Sequence, residues 1–347
     1  MFHKILKKMK KVVFVLVGLA LFSCKKEEAK EDFSTKPVVE KSELAKKADN
    51  FFKSISTVEN PTIPQNKIDL GKKLYFDKAL SKNGTVSCNS CHNLATFGVD
   101  NKSFSVGDTK ELGGRNSPTV IYAYLHGMQF WDGRAKNVEE QAGGPLLNPV
   151  EHGIPNEAFL EKKLRAIPEY QAAFKSVFPN DKEPITFSNL TNAIGAFERQ
   201  LAPKSKFDNY LDGDETVLND QEKKGLTSFI DNGCITCHSG VVLGGQLMQK
   251  FGLYGDYAKL THSKKIDKGL YDLSKKDGDQ FMFKTPSLRN VEKTYPYFHD
   301  GSVASLKEAI KIMVKLQVNK DISDADANDI ETFLKTLTAD VDLKYKG

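Results

Sequence analysis

Apolar residues along this chain recur mostly at spacings of three and four. Leu190, Ile194, Phe197 and Leu201 stand at i, i+4, i+7 and i+11 behind Ser188, the mark of one buried helix face. Three further runs each open on a capping residue with an acid three positions later. Asn219 and Glu222 precede Leu226, Phe229 and Ile230. Ser305 and Glu308 precede a face of Leu306, Ala309, Ile310 and Met313. Ser323 and Asp326 precede Ile330, Phe333, Leu334 and Leu337. Leu44, Ala48, Phe51, Phe52 and Ile55 point to another helix beginning within 41–56. No alternation of period two persists, so the expected class is all-α.

The first residues follow a different rule. Lys4, Lys7, Lys8, Lys10 and Lys11 form a basic start, and Val12 to Phe22 is apolar but short for a bilayer span. Leu21-Phe22-Ser23-Cys24 looks like a bacterial lipobox, which implies cleavage before Cys24, lipid on its sulfur and a membrane-anchored protein of the periplasm or cell envelope. Residues 1–23 are therefore read as a lipoprotein signal peptide. Residues 24–60, rich in Lys, Glu and Ser at first, are read as a tether and N-terminal extension.

Charge changes the picture by subtraction. The formal net charge is +5, and the five signal lysines account for all of it. With no net charge left and no basic stripe, a nucleic-acid role is excluded. Cysteine usage adds more. Of five cysteines, Cys24 goes to lipid, and the others form Cys88-Asn89-Ser90-Cys91-His92 and Cys234-Ile235-Thr236-Cys237-His238. Each is a c-type haem attachment signal: two thiols add to the haem vinyl groups, and the next residue presents imidazole to the iron. One Cys-x-x-Cys alone reads equally as a zinc or redox site, but two units ending in His on an exported chain do not. His92 and His238 lie 146 residues apart, each after a helical pattern. The expectation is two cytochrome c-like haem domains, 61–205 and 206–347, with a boundary near 202–216 where Pro203 and Asp212-Gly213-Asp214 interrupt the pattern.

Several strings resemble the bacterial dihaem cytochrome c peroxidases. They are Leu70-Gly71-Lys72-Lys73-Leu74-Tyr75-Phe76-Asp77, Arg115-Asn116-Ser117-Pro118-Thr119, Phe130-Trp131-Asp132-Gly133-Arg134-Ala135, Asn148-Pro149-Val150-Glu151, Thr285-Pro286-Ser287-Leu288-Arg289-Asn290 and Pro296-Tyr297-Phe298-His299-Asp300-Gly301. Residues 154–225 match only in helical character. The resemblance implies reduction of hydrogen peroxide with electrons from a small cytochrome c or copper protein, commonly by a homodimer. Haem 1, on His92, would be peroxidatic, and haem 2, on His238, electron-accepting. Met313 would be the second ligand of haem 2, although helical pattern alone makes it core filler. Trp131 would bridge the haems electronically. Gln141 and Glu151, which otherwise read as surface residues, would stand over haem 1, with Glu151 moving a proton between the peroxide oxygens. One calcium ion would be held by the Asn116 side chain and the Thr294 and Pro296 carbonyls.

One departure stands out. Many such peroxidases carry a distal His sixteen residues after the haem 1 proximal His, blocking peroxide until haem 2 is reduced. Here that position is Asp108, a poorer haem ligand. The expectation is a haem 1 open or water-bound at rest, with His126 and His152 as the nearby alternative ligands. Two rival functions remain at this point. An enzyme oxidising a protein or small organic substrate on the same scaffold is opposed by Met313, because the tryptophan-oxidising relatives have Tyr there. A pure electron carrier leaves Gln141 and Glu151 unexplained.

Overall fold

The computed structural model describes residues 40–59 and 61–347; the signal segment 1–23 and Cys24 lie outside the described residues. Two helix crossings organise the chain. Gln65–Phe76 crosses Phe187–Glu198 so closely that a Cβ on Gly71 would stand 1.9 Å from the Ala193 carbonyl oxygen. Asp220–Asp231 crosses Asp324–Lys335 the same way, with a Cβ on Gly225 falling 2.0 Å from the Asp329 carbonyl oxygen. Only glycine lets the two backbones approach so far. In each crossing the next turn of the partner helix supplies a phenylalanine, Phe197 or Phe333, and a Cys-x-x-Cys-His segment follows the first helix.

The caps read from sequence form at three helices. Asn219 accepts from the Glu222 amide, Ser305 from the Glu308 amide and Ser323 from the Asp326 amide. The cap of Phe187–Glu198 is Thr186, which accepts from the Asn189 amide at 3.1 Å, rather than Ser188. Thr186 is the residue left extended by the preceding Pro184-Ile185 turn, so its hydroxyl is free to face the first amides.

The class is mostly helical, with an addition that periodicity missed. Met248–Lys250 and Met282–Lys284 pair as a two-stranded antiparallel sheet. Three residues per strand are too few to show alternation. The stretch 202–216 also differs from a plain boundary. It holds a helix, Lys206–Leu211, with Phe207 and Tyr210 in the core. The N-terminal extension packs there too: Phe52 meets Phe207 edge-on at 5.5 Å, and the Gly240 amide donates to the Phe51 carbonyl at 2.8 Å. Its helix is short, Glu43–Asp49.

At the centre of this region Arg289 and Asp208 form an ion pair with both side chains fully buried. The pairing is bidentate, at 2.7 and 2.8 Å. Burial alone would raise the Asp208 carboxyl, but the guanidinium outweighs it and holds the group below its ordinary range. Asp208 also accepts from the Ile55 amide and the Ser205 hydroxyl, while Arg289 donates to the Val241 carbonyl and covers the Tyr122 ring. One pair thus ties together the extension, the Lys206–Leu211 helix and the loop after His238. Asp208→Asn should lower the unfolding free energy by about 3–5 kcal/mol, since it strands a buried guanidinium. Guanidinium chloride unfolding of the holoprotein checks this; an unchanged midpoint would contradict it.

Candidate functional site

Two cavities open beside the two Cys-x-x-Cys-His segments. The first is lined by Cys88, Cys91 and His92, and on its other walls by Trp131, Arg134, Gln141, Glu151 and Glu198. The second is lined by Cys234, Cys237 and His238, and also by Trp131, Phe283, His299 and Met313. None of these four cysteines is paired in a disulfide.

The imidazoles are set for metal. His92 Nδ1 bonds the Pro118 carbonyl at 2.9 Å, and His238 Nδ1 bonds the Leu243 carbonyl at 3.1 Å. A carbonyl partner fixes the proton on Nδ1 and leaves the Nε2 lone pair for a metal. Burial lowers both pKa values, that of His238 to about 4, so both rings are neutral at physiological pH. Thiols, neutral imidazoles and adjoining cavities fit two covalently held haems.

Trp131 is the one predicted residue that lines both cavities. Its Nε1 donates to the Asn116 carbonyl at 2.9 Å, and its own carbonyl accepts from the Lys284 amide at 2.7 Å. Its ring meets His299 edge-on at 6.4 Å. Met313 lies half-buried on the helix Leu306–Val318, in the same cavity as His238. Gln141 comes from the helix Val138–Leu147, and Glu151 from the turn after it. That turn closes on itself, with the Glu151 amide donating to the Asn148 carbonyl and the Asn148 side-chain amide donating to Glu151 Oε1 at 2.9 Å. Burial raises the Glu151 pKa, with Arg134 pulling partly the other way.

The family model of di-haem cytochrome c peroxidase matches residues 65–216. Over most of the chain, the similarity is to the cytochrome c551 peroxidases of Nitrosomonas europaea and Pseudomonas aeruginosa. Each is 43% identical, over 78% of this chain and 80% of the former protein, and over 87% and 88% for the latter. The chain belongs to the dihaem cytochrome c peroxidase family. Among solved structures, a MauG-like protein associated with microbial copper homeostasis superposes with a TM-score of 0.73 at 30% identity, covering 84% of this chain and 96% of that one.

Against this family background the Asp108 position takes a definite form. The carboxylate does not line the haem 1 cavity. It accepts from the Asn83 amide at 2.7 Å, the Thr85 amide at 3.1 Å and the Thr85 hydroxyl at 2.6 Å. Burial would raise its pKa, but these donors hold it down at about 2. Its backbone amide donates to the Glu151 carbonyl at 2.7 Å, and a Cβ on Gly107 would stand 1.7 Å from the Val150 carbonyl oxygen. The residue that stands where a distal His is common therefore anchors the Glu151 turn to the loop 83–85. Of the two alternative histidines, His152 lines the cavity; its Nδ1 bonds the Leu80 carbonyl at 3.1 Å, and burial lowers its pKa to about 4. His126 lines neither cavity; its Nδ1 faces Lys284 Nζ at 3.4 Å.

The segments that carry the expected calcium ligands are tied together by hydrogen bonds. Asn116 donates from its amide to the His299 carbonyl and from its side chain to the Lys102 carbonyl. Asn101 bonds the Lys293 and Tyr295 carbonyls, on either side of Thr294. Among the described residues no group of three or more His, Cys, Asp or Glu could hold a metal, and this donor set, an amide and two carbonyls, is of another kind.

Two cavity residues escaped the sequence reading. Arg134, in a quoted string, stacks 3.5 Å over the Phe130 ring and pairs with Asp132. Glu198 is 3% exposed in a helix core; its position between Ile194 and Leu201 on the apolar face was a signal available in the sequence.

Asp108→Asn should cost about 1–3 kcal/mol at neutral pH by weakening three bonds, and should leave the visible spectrum of oxidised haem 1 unchanged. The sign with pH follows from a carboxyl held below its ordinary 3.8. Its contribution is complete above that value and lost as pH falls through about 2. The gap between wild type and variant should close over that acid window. A changed haem 1 spectrum, or a gap independent of pH, would contradict the anchoring role.

Proposed function

We propose that this peroxidase reduces hydrogen peroxide to water at haem 1, with electrons received from a small reduced cytochrome c or a similar donor through haem 2. The observation that carries the reading is the difference between the two linings: Gln141 and Glu151 line the cavity of His92, and Met313 lines the cavity of His238. Bound haem c supplies an iron that exchanges single electrons and, where a position is free, takes an oxygen ligand.

The chain's residues divide the remaining work. Cys88, Cys91 and His92 would hold one haem; Cys234, Cys237 and His238, with Met313 as second ligand, would hold the other. A thioether ligand raises an iron's potential, which suits an acceptor of electrons. Gln141 orients peroxide through its side-chain amide. Glu151, with its pKa raised by burial, takes the proton from the near oxygen and returns it to the far one, so that water leaves instead of hydroxide. Asn148 holds that carboxyl at one oxygen and leaves the other free. Trp131 sits between the two cavities as the electronic bridge. The rival oxidase of organic or protein substrates loses to Met313 and to the greater similarity to named peroxidases.

Haem 1 is open or water-bound at rest in this reading, because Asp108, at the expected distal position, is occupied by Asn83 and Thr85. The two helix crossings support two cytochrome c-like domains, 61–205 and 206–347, with the part of the extension around Phe51 and Phe52 packed on the second. Asn116, Thr294 and Pro296 would hold a calcium ion. Cys24 would carry the lipid that keeps the enzyme in the cell envelope, as a homodimer; among the described residues no helix is long and apolar enough to cross a membrane.

Fully oxidised holoprotein, given peroxide and reduced cytochrome c, should oxidise the donor from the first second without a lag. Glu151→Gln should abolish turnover while both haems stay bound. A lag removed by pre-reducing haem 2 would overturn the open haem 1, and near-wild-type rates in Glu151→Gln would overturn the proton role.

A further inference from the structure

The haem 1 cavity contains a second carboxyl that the proposed mechanism does not use. Glu198 ends the helix Phe187–Glu198 and is 3% exposed. It lines the cavity together with Cys88, Cys91 and His92. Its Oε2 is buried with no hydrogen-bond partner. A buried, unpaired carboxylate is costly, so such a group either neutralises or faces a charge that compensates it.

No cation compensates it here. The nearest guanidinium, Arg199, is taken by Glu139, which it grips at 2.8 and 3.1 Å. Glu139 stands on the neighbouring helix Val138–Leu147 and repels a second negative charge. Tyr75, from Gln65–Phe76, faces the same space and gives its hydroxyl to the His92 carbonyl. Cys88 and Cys91 face it from the attachment segment and do not titrate once joined to haem. Burial first, then Glu139, push the Glu198 carboxyl up to about 8, with Arg199 opposing. Apart from Glu151, which lines the same cavity, the charge that would change in function beside Glu198 is that of the iron held by His92.

We propose that Glu198 is the redox-linked proton site of haem 1: it binds a proton when that iron is reduced and gives it up when the iron is oxidised. The inference rests on the assignment of haem to His92. The balance is simple. Ferric iron gains one electron, supplied through haem 2, and becomes ferrous; the Glu198 carboxylate gains one proton from solvent and becomes a carboxylic acid. Oxidation reverses both. The extra positive charge of the ferric state favours the carboxylate, and its loss favours the acid, so the two equilibria are coupled through low-dielectric space. The cavity reaches the surface beside Arg134, whose side chain is 39% exposed, which gives protons a way in. Glu198 acts on the iron through space and is a positioning residue in charge, distinct from Glu151, which meets peroxide.

The direction with pH follows. Well below about 8 the carboxyl is protonated in both states and the haem 1 potential is flat. As pH rises through that value the oxidised form loses the proton first, and the potential falls. The test is potentiometric titration of haem 1 in the holoprotein between pH 6 and 10, alongside Glu198→Gln, with haem content checked by visible spectrum. Wild type should show a falling potential across the alkaline window, with proton uptake on reduction measurable in weakly buffered solution. Glu198→Gln should hold the potential flat and take up no proton. A wild-type potential that does not change with pH would overturn the proposal even if the variant fails to load haem. An unchanged slope in a fully loaded variant would overturn it as well. Neither result bears on peroxide turnover, so the peroxidase reading stands or falls separately.

Discussion

Two imidazoles fixed by backbone carbonyls govern the arrangement of this molecule, because an iron's behaviour follows from what holds it on each side. His92 depends on the Pro118 carbonyl and His238 on the Leu243 carbonyl. Each carbonyl depends in turn on its own loop. Beside Pro118, Thr119 donates its hydroxyl to the Phe97 carbonyl. Beside Leu243, Ser287 bonds the Val242 carbonyl and Arg289 the Val241 carbonyl. The Arg289–Asp208 pair then links that loop to the extension and to the Lys206–Leu211 helix. Stability far from the cavities is thereby spent on the direction of one ring.

The two imidazoles are held alike, and the rest of the two linings differs. The cavity of His238 takes Met313 from a helix, within a largely apolar lining that includes Phe283 and Leu306. The cavity of His92 takes Glu151 from a tight turn, held in place by Asn148 from within and by Asp108 from outside. Loops suit a reacting site and helices suit a fixed ligand, since a turn can aim a short carboxylate where a helix face cannot. Trp131 joins the two environments and is itself fixed at both its ring and its backbone.

Much of this was legible in the sequence. The attachment segments, three of the helix caps and the helical periodicity are local features, and local features fold as they read. What escaped was set by distant partners. The Lys206–Leu211 helix hides between Pro203 and Gly213 and owes its place to Arg289, 81 residues from Asp208. The short sheet is too brief for its pattern to show. Counting positions brought Asp108 into question, yet only the bonds to Asn83 and Thr85 reveal what it does. Gln141 and Glu151 look like ordinary surface residues by pattern, and family resemblance rather than periodicity pointed to them. Glu198 had a visible anomaly, an acid on an apolar helix face, that called for a partner the chain does not provide.

The central claim is that the two irons differ in their sixth position, with one open and one closed by Met313. Carbon monoxide titration of the fully reduced holoprotein tests it most directly, since carbon monoxide takes an open ferrous haem and leaves a strongly ligated one. The account predicts uptake by haem 1 alone, half of the haem present. Uptake by neither haem would make the protein an electron carrier, and equal uptake by both would remove Met313 from the iron; either result would contradict the account.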